Sequence, residues 1–99
     1  MTTLEIVQFR LKSETDEKDF ISAAEELQKE FLGKAAGFID RALARTEDGN
    51  WMDVLHWETP EDAQRVAKDF LNHASARRYE DMIDLETAKM TDSSVVRKF

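Results

Sequence analysis

The stretch 37–60, GFIDRALARTEDGNWMDVLHWETP, constrains what this chain can fold into more than any other. It sets two strand-prone runs on either side of Asp48-Gly49. That dipeptide favours a two-residue type I′ turn, whose central positions both need positive φ. Centring the turn there sets Glu47 opposite Asn50, Ala42 opposite Leu55, Arg41 opposite His56 and Asp40 opposite Trp57. One face of the hairpin then carries Phe38, Asp40, Ala42, Ala44, Thr46, Trp51, Asp53, Leu55 and Trp57. The other carries Ile39, Arg41, Leu43, Arg45, Met52, Val54, His56 and Glu58. Large apolar groups fall on both faces, whereas a sheet wetted on one side alternates cleanly between apolar and polar. The chain's own helices can cover one face, and a second subunit is the expected cover for the other.

Strand and helix signals flank the hairpin. Leu4 to Leu11 alternates as a strand, with Val7, Phe9 and Leu11 on one face and Leu4, Ile6, Gln8 and Arg10 on the other. Ser13, Thr15 and Asp16 are candidate N-caps for a helix whose stripe is Phe20, Ala24, Leu27 and Phe31, with Gly33 expected at C′. Thr59-Pro60-Glu61-Asp62 supplies an N-cap hydroxyl, a proline at the first helical position and acids in the first turn. Ala63, Val66, Ala67, Phe70, Leu71 and Ala74 then follow at helical spacing. Ser75 to Ile83 either continues that helix or forms a shorter one. Asp84 to Ser94 reads as a polar connection, and Val95 to Phe99 as a short last strand.

The order strand, helix, strand, strand, helix, strand is the split β-α-β arrangement, a ferredoxin-like α+β sandwich with both helices on one face of an antiparallel sheet. At 99 residues the whole chain, 1–99, is expected to form one such domain. Two copies packed through their bare sheet faces would make a dimeric α/β barrel. Composition narrows the partners. A formal charge of −7 argues against nucleic acid and anionic membrane surfaces, which are bound through basic patches. No apolar run approaches the roughly 18 residues that span a bilayer, and MTTLEIVQFR lacks the pattern of a signal peptide. The absence of cysteine excludes thiol catalysis and zinc-thiolate sites and fits a cytoplasmic setting.

Several segments resemble the dimeric α/β barrel superfamily and, within it, the small antibiotic-biosynthesis-monooxygenase-like proteins. They are Gly37-Phe38 opening the second strand, Asp53 to Trp57 in the third, Trp57-Glu58-Thr59-Pro60-Glu61-Asp62-Ala63 running into a capped helix, and the helical stretch Phe70 to Tyr79. The resemblance covers nearly the whole chain and implies a homodimer that binds a small organic molecule. Its implied activity is that of a cofactor-independent monooxygenase or isomerase acting on a small aromatic or enolisable metabolite. The alternative is a non-catalytic ligand-binding or assembly dimer. Gln8 and Phe9 stand where the haem-degrading branch carries an Asn, and Ala67 and Arg77 stand near its Trp and His, so that branch is not expected.

Candidate site residues come from the hairpin and the second helical region. Arg41 and His56, as cross-strand neighbours, would bind an enolate or carboxylate and move a proton near neutral pH. Trp57, at a strand end, would form a stacking wall, and Asp40 and Asp53 on the Trp-bearing face are possible bases or partners for it. His73, next to the helical stripe, would reach a cavity beneath the helix, and Tyr79 is a candidate ligand contact whose hydroxyl is expected in water. Each has a structural counterpart: a polar pair braced by Glu58, an acceptor for indole N–H, a core or interface aromatic. Two histidines without a ligand motif give no basis for a metal site, and no glycine-rich loop suggests a nucleotide, so no cofactor is expected.

Overall fold

The computed structural model describes residues 1–99. The elements are β1 (Thr3–Leu11), α1 (Glu17–Glu30), a 3₁₀ turn (Leu32–Lys34), β2 (Phe38–Arg45), β3 (Trp51–Trp57) and α2 (Pro60–Asp69). A second 3₁₀ turn (Phe70–Asn72), α3 (Ala74–Asp81) and β4 (Ile83–Ser94) complete the chain. The strands form one antiparallel sheet in the order β2-β3-β1-β4, with the helices on one side, which is the ferredoxin-like α+β topology. No helix is long and apolar enough to cross a membrane.

The helix starts follow local chemistry. The Asp16 carboxylate accepts from the Lys18 backbone N–H at 2.8 Å to open α1. Thr59 Oγ1 accepts from the Asp62 N–H at 3.1 Å, and Pro60 begins α2. The stripe Phe20, Ala24, Leu27 and Phe31 is buried as its spacing requires. Phe20 lies at the centre, stacked on Tyr79 (ring centroids 4.9 Å apart) and meeting the rings of Phe9 and Trp51 edge-on at 5.7 and 5.0 Å.

The hairpin closes differently from expectation. No residue other than glycine has positive φ, which excludes a type I′ turn through Asp48. Instead Thr46 pairs with Asn50 (N–H to O 2.9 Å), the Gly49 N–H reaches Thr46 O at 3.1 Å, and Gly49 takes φ +87. This three-residue loop, Glu47-Asp48-Gly49, is a tight turn followed by a left-handed glycine. The register therefore slips by one: Arg41 faces Leu55, Asp40 faces His56 and Leu43 faces Asp53. Because side chains alternate with period two, a one-residue slip moves every β2 side chain to the opposite face. Arg41, Leu43 and Arg45 thus join Trp51, Asp53, Leu55 and Trp57 under the helices, while Asp40, Ala42 and Ala44 turn away. An irregularity between Phe38 and Asp40 returns Phe38 to the helix side, opposite Trp57.

Two other expectations need correction, and of the two readings of Ser75 to Ile83 the shorter separate helix, Ala74–Asp81, is the one that forms. Gly33 has no positive φ and lies inside a 3₁₀ turn; the left-handed glycine of this connection is Gly37, at φ +84. A Cβ on Gly37 would stand 2.0 Å from Asp62 Oδ2, so the contact between this loop and the start of α2 requires glycine. The second helical region is broken, because Asp69 accepts from Asn72 Nδ2 at 2.9 Å and pairs with His73 Nε2 at 2.9 Å. Such local side-chain bonds compete with a continuing helix. Finally, the last strand is Ile83–Ser94, not Val95–Phe99, which follows β4 without strand structure.

The far side of the sheet carries no helix. Leu4 and Ile6 of β1 and Met52, Val54 and His56 of β3 form its half-buried centre, with Ala42 and Ala44 exposed beside them. The bare face foreseen in the hairpin is therefore present, with β2 contributing small residues to it rather than Arg41, Leu43 and Arg45.

Candidate functional site

Two polar residues anchor the layer between sheet and helices. Arg41 and Asp53 are both almost fully buried and joined by a bidentate pair, Nε to Oδ1 and Nη2 to Oδ2, each 2.8 Å. Arg41 Nη1 also donates to the Ala24 carbonyl of α1 at 2.9 Å, and Tyr79 of α3 donates its hydroxyl to Asp53 Oδ2 at 2.6 Å. The cluster ties β2 and β3 to α1 and α3. Burial works against the guanidinium's charge, but the hydrogen bonds and charge of Asp53 more than reverse it, holding Arg41 protonated. Burial, reinforced by the negative charge and hydrogen bond of Asp53, pushes the Tyr79 hydroxyl above its ordinary value.

Beside this cluster lies an apolar cavity of about 300 Å³ between the sheet and α2 and α3. Val7, Phe9, Leu55, Trp57, Val66, Phe70 and Tyr79 line it, and Leu71, Leu85 and Met90, all more than half exposed, mark its mouth. Its volume is at the small end for ligand sites, enough for one or two rings. The polar lining residues include three carboxylates: Asp53, already paired, Glu5 and Glu80. No Lys, Arg or His lines it.

Glu5, on β1, is only 9% exposed. Its Oε1 accepts the Trp57 indole N–H at 3.0 Å, and Oε2 accepts no hydrogen bond from the protein. Burial raises its carboxyl above the ordinary carboxylate value; the Trp57 hydrogen bond opposes this, and nearby Asp92 and Asp53 add to it. Asp92 is its cross-strand neighbour on β4. A carboxylate of raised affinity for protons, in an apolar pocket against an indole, is the arrangement of a general base or acid.

Among the sequence candidates, the cavity brings together Trp57 and Tyr79, with Arg41 one residue behind through Asp53. Tyr79 is buried and bonded to Asp53 rather than carrying its hydroxyl in water. Arg41 and His56 do not form a pair: the register slip puts them on opposite faces. His56 and Asp40 lie on the bare face, where His56 Nε2 is 2.7 Å from Thr2 Oγ1 and Nδ1 is 3.7 Å from Asp40 Oδ2. His73 does not reach the cavity; its ring stacks on Phe31 (centroids 3.9 Å apart) and pairs with Asp69. Trp51 packs against Phe20 in the core and lies outside the cavity. Glu5 was missed, although its alternation with Val7 and Phe9 on the helix-facing side of β1 is a signal that could have found it. No three His, Asp or Glu side chains converge as a metal site requires.

The fold has many solved counterparts. SnoaB, a cofactor-independent oxygenase from Streptomyces nogalater, superimposes with TM-score 0.78 at 15% identity, over 98% of this chain and 95% of that one. A protein from Bordetella bronchiseptica, assigned provisionally as an antibiotic biosynthesis monooxygenase, gives 0.78 at 19% identity, over 97% and 98%. A dimeric ferredoxin-like protein from an uncultured marine organism gives 0.73 at 16%, over 99% and 90%. No protein-family model and no curated protein matches the sequence. The chain has the fold of the antibiotic-biosynthesis-monooxygenase-like proteins, as the sequence resemblance implied.

The ion pair yields a direct prediction. Arg41→Leu leaves Asp53 buried without its counter-ion and should cost about 3–5 kcal/mol, measured from the urea midpoint. The double variant Arg41→Leu/Asp53→Asn removes the orphaned charge and keeps an acceptor for Tyr79, so it should regain at least half of that loss.

Proposed function

We propose that this chain binds a small aromatic or enolisable molecule in the cavity and removes a proton from it with Glu5. The observation that carries this reading is the free Oε2 of a buried, proton-avid carboxylate whose other oxygen is fixed by Trp57 in an otherwise apolar pocket. Trp57 and Phe9 offer flat walls for a ring, and Tyr79 closes the side next to Asp53.

An acidic C–H or O–H of the bound molecule transfers its proton to Glu5 Oε2, and the carboxyl so formed donates that proton as a hydrogen bond to the enolate or phenolate oxygen, the one donor the cavity then offers it. Such an anion is electron-rich enough to reduce dioxygen directly. For an activated methylene the balance is R₂CH₂ + O₂ → R₂C=O + H₂O, with both electron pairs coming from the substrate. The likeness in fold to SnoaB, described as a cofactor-independent oxygenase, supports oxidation over isomerisation. The role assigned in sequence to Arg41 and His56 passes to Glu5 because, of the two cavity carboxylates with an unbonded oxygen, Glu5 is the buried one held against Trp57, whereas Glu80 is half-buried.

We further infer that two copies pack through the bare sheet face. Leu4, Ile6, Met52 and Val54 are apolar, sit on the two central strands and have no helix over them. The ferredoxin-like counterpart from the uncultured marine organism is described as dimeric, which supports a dimer here. Light scattering at micromolar concentration should give twice the 11.5 kDa chain mass. Ile6→Lys should halve that value while leaving the circular dichroism of the fold intact. A folded monomer in the unaltered protein would contradict the assignment.

Oxygen uptake with a panel of small phenols and 1,3-dicarbonyl compounds tests the chemistry. At least one compound should react faster than in buffer, and Glu5→Gln should lower that rate by about 10²–10⁴-fold. Because the base must be ionised and its proton affinity is raised, the rate should climb with pH, with a midpoint above the ordinary carboxylate value of 4.5. A Glu5→Gln variant as fast as the unaltered protein would rule out this base.

A further inference from the structure

We propose that the ligand accepted by this cavity is an aromatic amine in its cationic form, its ring between the aromatic walls and its ammonium at the mouth against Glu80. The inference rests on the cavity assigned above and names the class of molecule it selects.

The polar lining decides the sign of the ligand's charge. Each strong donor near the cavity is already engaged: the Trp57 N–H by Glu5, the Tyr79 hydroxyl by Asp53, and all three donor nitrogens of Arg41 by Asp53 and the Ala24 carbonyl. A carboxylate or phosphate entering here would find apolar wall and other carboxylates, and would be desolvated without a partner. The acceptors left without a protein hydrogen bond are Glu5 Oε2, on a residue that lines the cavity and is 9% exposed, and the Glu80 carboxylate. Glu80 is half-buried on α3 and takes part in no side-chain hydrogen bond or ion pair, unlike Glu26 on α1, which is paired with Arg78.

The two acceptors differ in what they suit. Glu5, deep and proton-avid, fits a group that gives up a proton. Glu80, lining the cavity from α3, fits a group that keeps its positive charge. Four aromatic rings, Phe9, Trp57, Phe70 and Tyr79, line the same space and favour a cation near their faces. The formal charge of −7 on the whole chain favours the approach of cations to the protein over that of anions. A phenol carrying a short aminoalkyl chain satisfies both ends at once.

Three probes with the same phenol ring separate charge from shape: tyramine (cation), tyrosol (neutral) and 4-hydroxyphenylacetate (anion). Isothermal titration at pH 7.5 and low salt should rank them in that order. Tyramine should bind about ten- to a hundredfold tighter than tyrosol, the size of one charge-assisted hydrogen bond. Glu80→Gln, with its fold checked by circular dichroism, should bring tyramine down to the affinity of tyrosol.

Equal binding of tyramine and tyrosol would overturn amine selectivity, as would tightest binding by the anion or a preference that survives Glu80→Gln. If tyrosol binds and Glu5→Gln abolishes oxygen uptake, the proton-abstraction reading stands while the amine assignment falls. If none of the three binds, the amine assignment falls, and the oxygen-uptake comparison alone decides the fate of Glu5.

Discussion

The buried pair between Arg41 and Asp53 is the interaction on which the rest of the structure depends. Two charges removed from water cost several kcal/mol each unless every donor and acceptor is matched, and here the match is close to complete. The guanidinium, carried on β2, reaches Asp53 of β3 and a carbonyl of α1, and the carboxylate accepts from Arg41 and Tyr79. That geometry exists in only one register of the hairpin. In the register suggested by a two-residue turn, Arg41 would point to the bare face and Asp53 would be left under the helices without a cation. The left-handed Gly49 at the turn and the ion pair within the ladder therefore specify the same alignment of the hairpin.

The same pair shapes the cavity. By engaging the Tyr79 hydroxyl and the only buried cation, it leaves the pocket beside it apolar and short of donors. Glu5 then sits among hydrocarbon and aromatic surface with one hydrogen bond and two acidic neighbours, Asp53 and Asp92. These are the conditions that raise a carboxyl's proton affinity. The polar atoms of this layer divide into a satisfied cluster that holds the fold and an incompletely satisfied carboxylate that faces the space a ligand would fill.

Much of the fold was legible because it rests on local signals: the Thr59-Pro60 helix start, the Phe20 to Phe31 stripe, and two-faced apolarity at the hairpin. The register was not legible, since Asp48-Gly49 serves both a two-residue and a three-residue loop and only tertiary contacts choose between them. β4 was hidden for a different reason. It is an edge strand, rich in charged and polar residues as edges tend to be. Its register also shifts between Asp84 and Lys89, where Thr87 Oγ1 accepts the Arg10 N–H at 2.9 Å. That shift resets the alternation of Ile83 and Leu85 before Ala88 and Met90, so no period-two pattern survives. Of the site, Trp57 and Tyr79 were visible as aromatics at strand and helix positions. Glu5 was overlooked because an acid near the start of a strand reads as solvent-exposed until β4 and α2 are placed around it.

The most direct measurement is a carbon-13 NMR titration of the Glu5 side-chain carboxyl in the unaltered protein. A midpoint above the ordinary carboxylate value of 4.5 is predicted, because burial outweighs the single hydrogen bond from Trp57. A midpoint at or below that value would mean that water or an unrecognised donor reaches Oε2. Glu5 would then be a solvated acid, and the account of this cavity as a proton-abstracting site would be wrong.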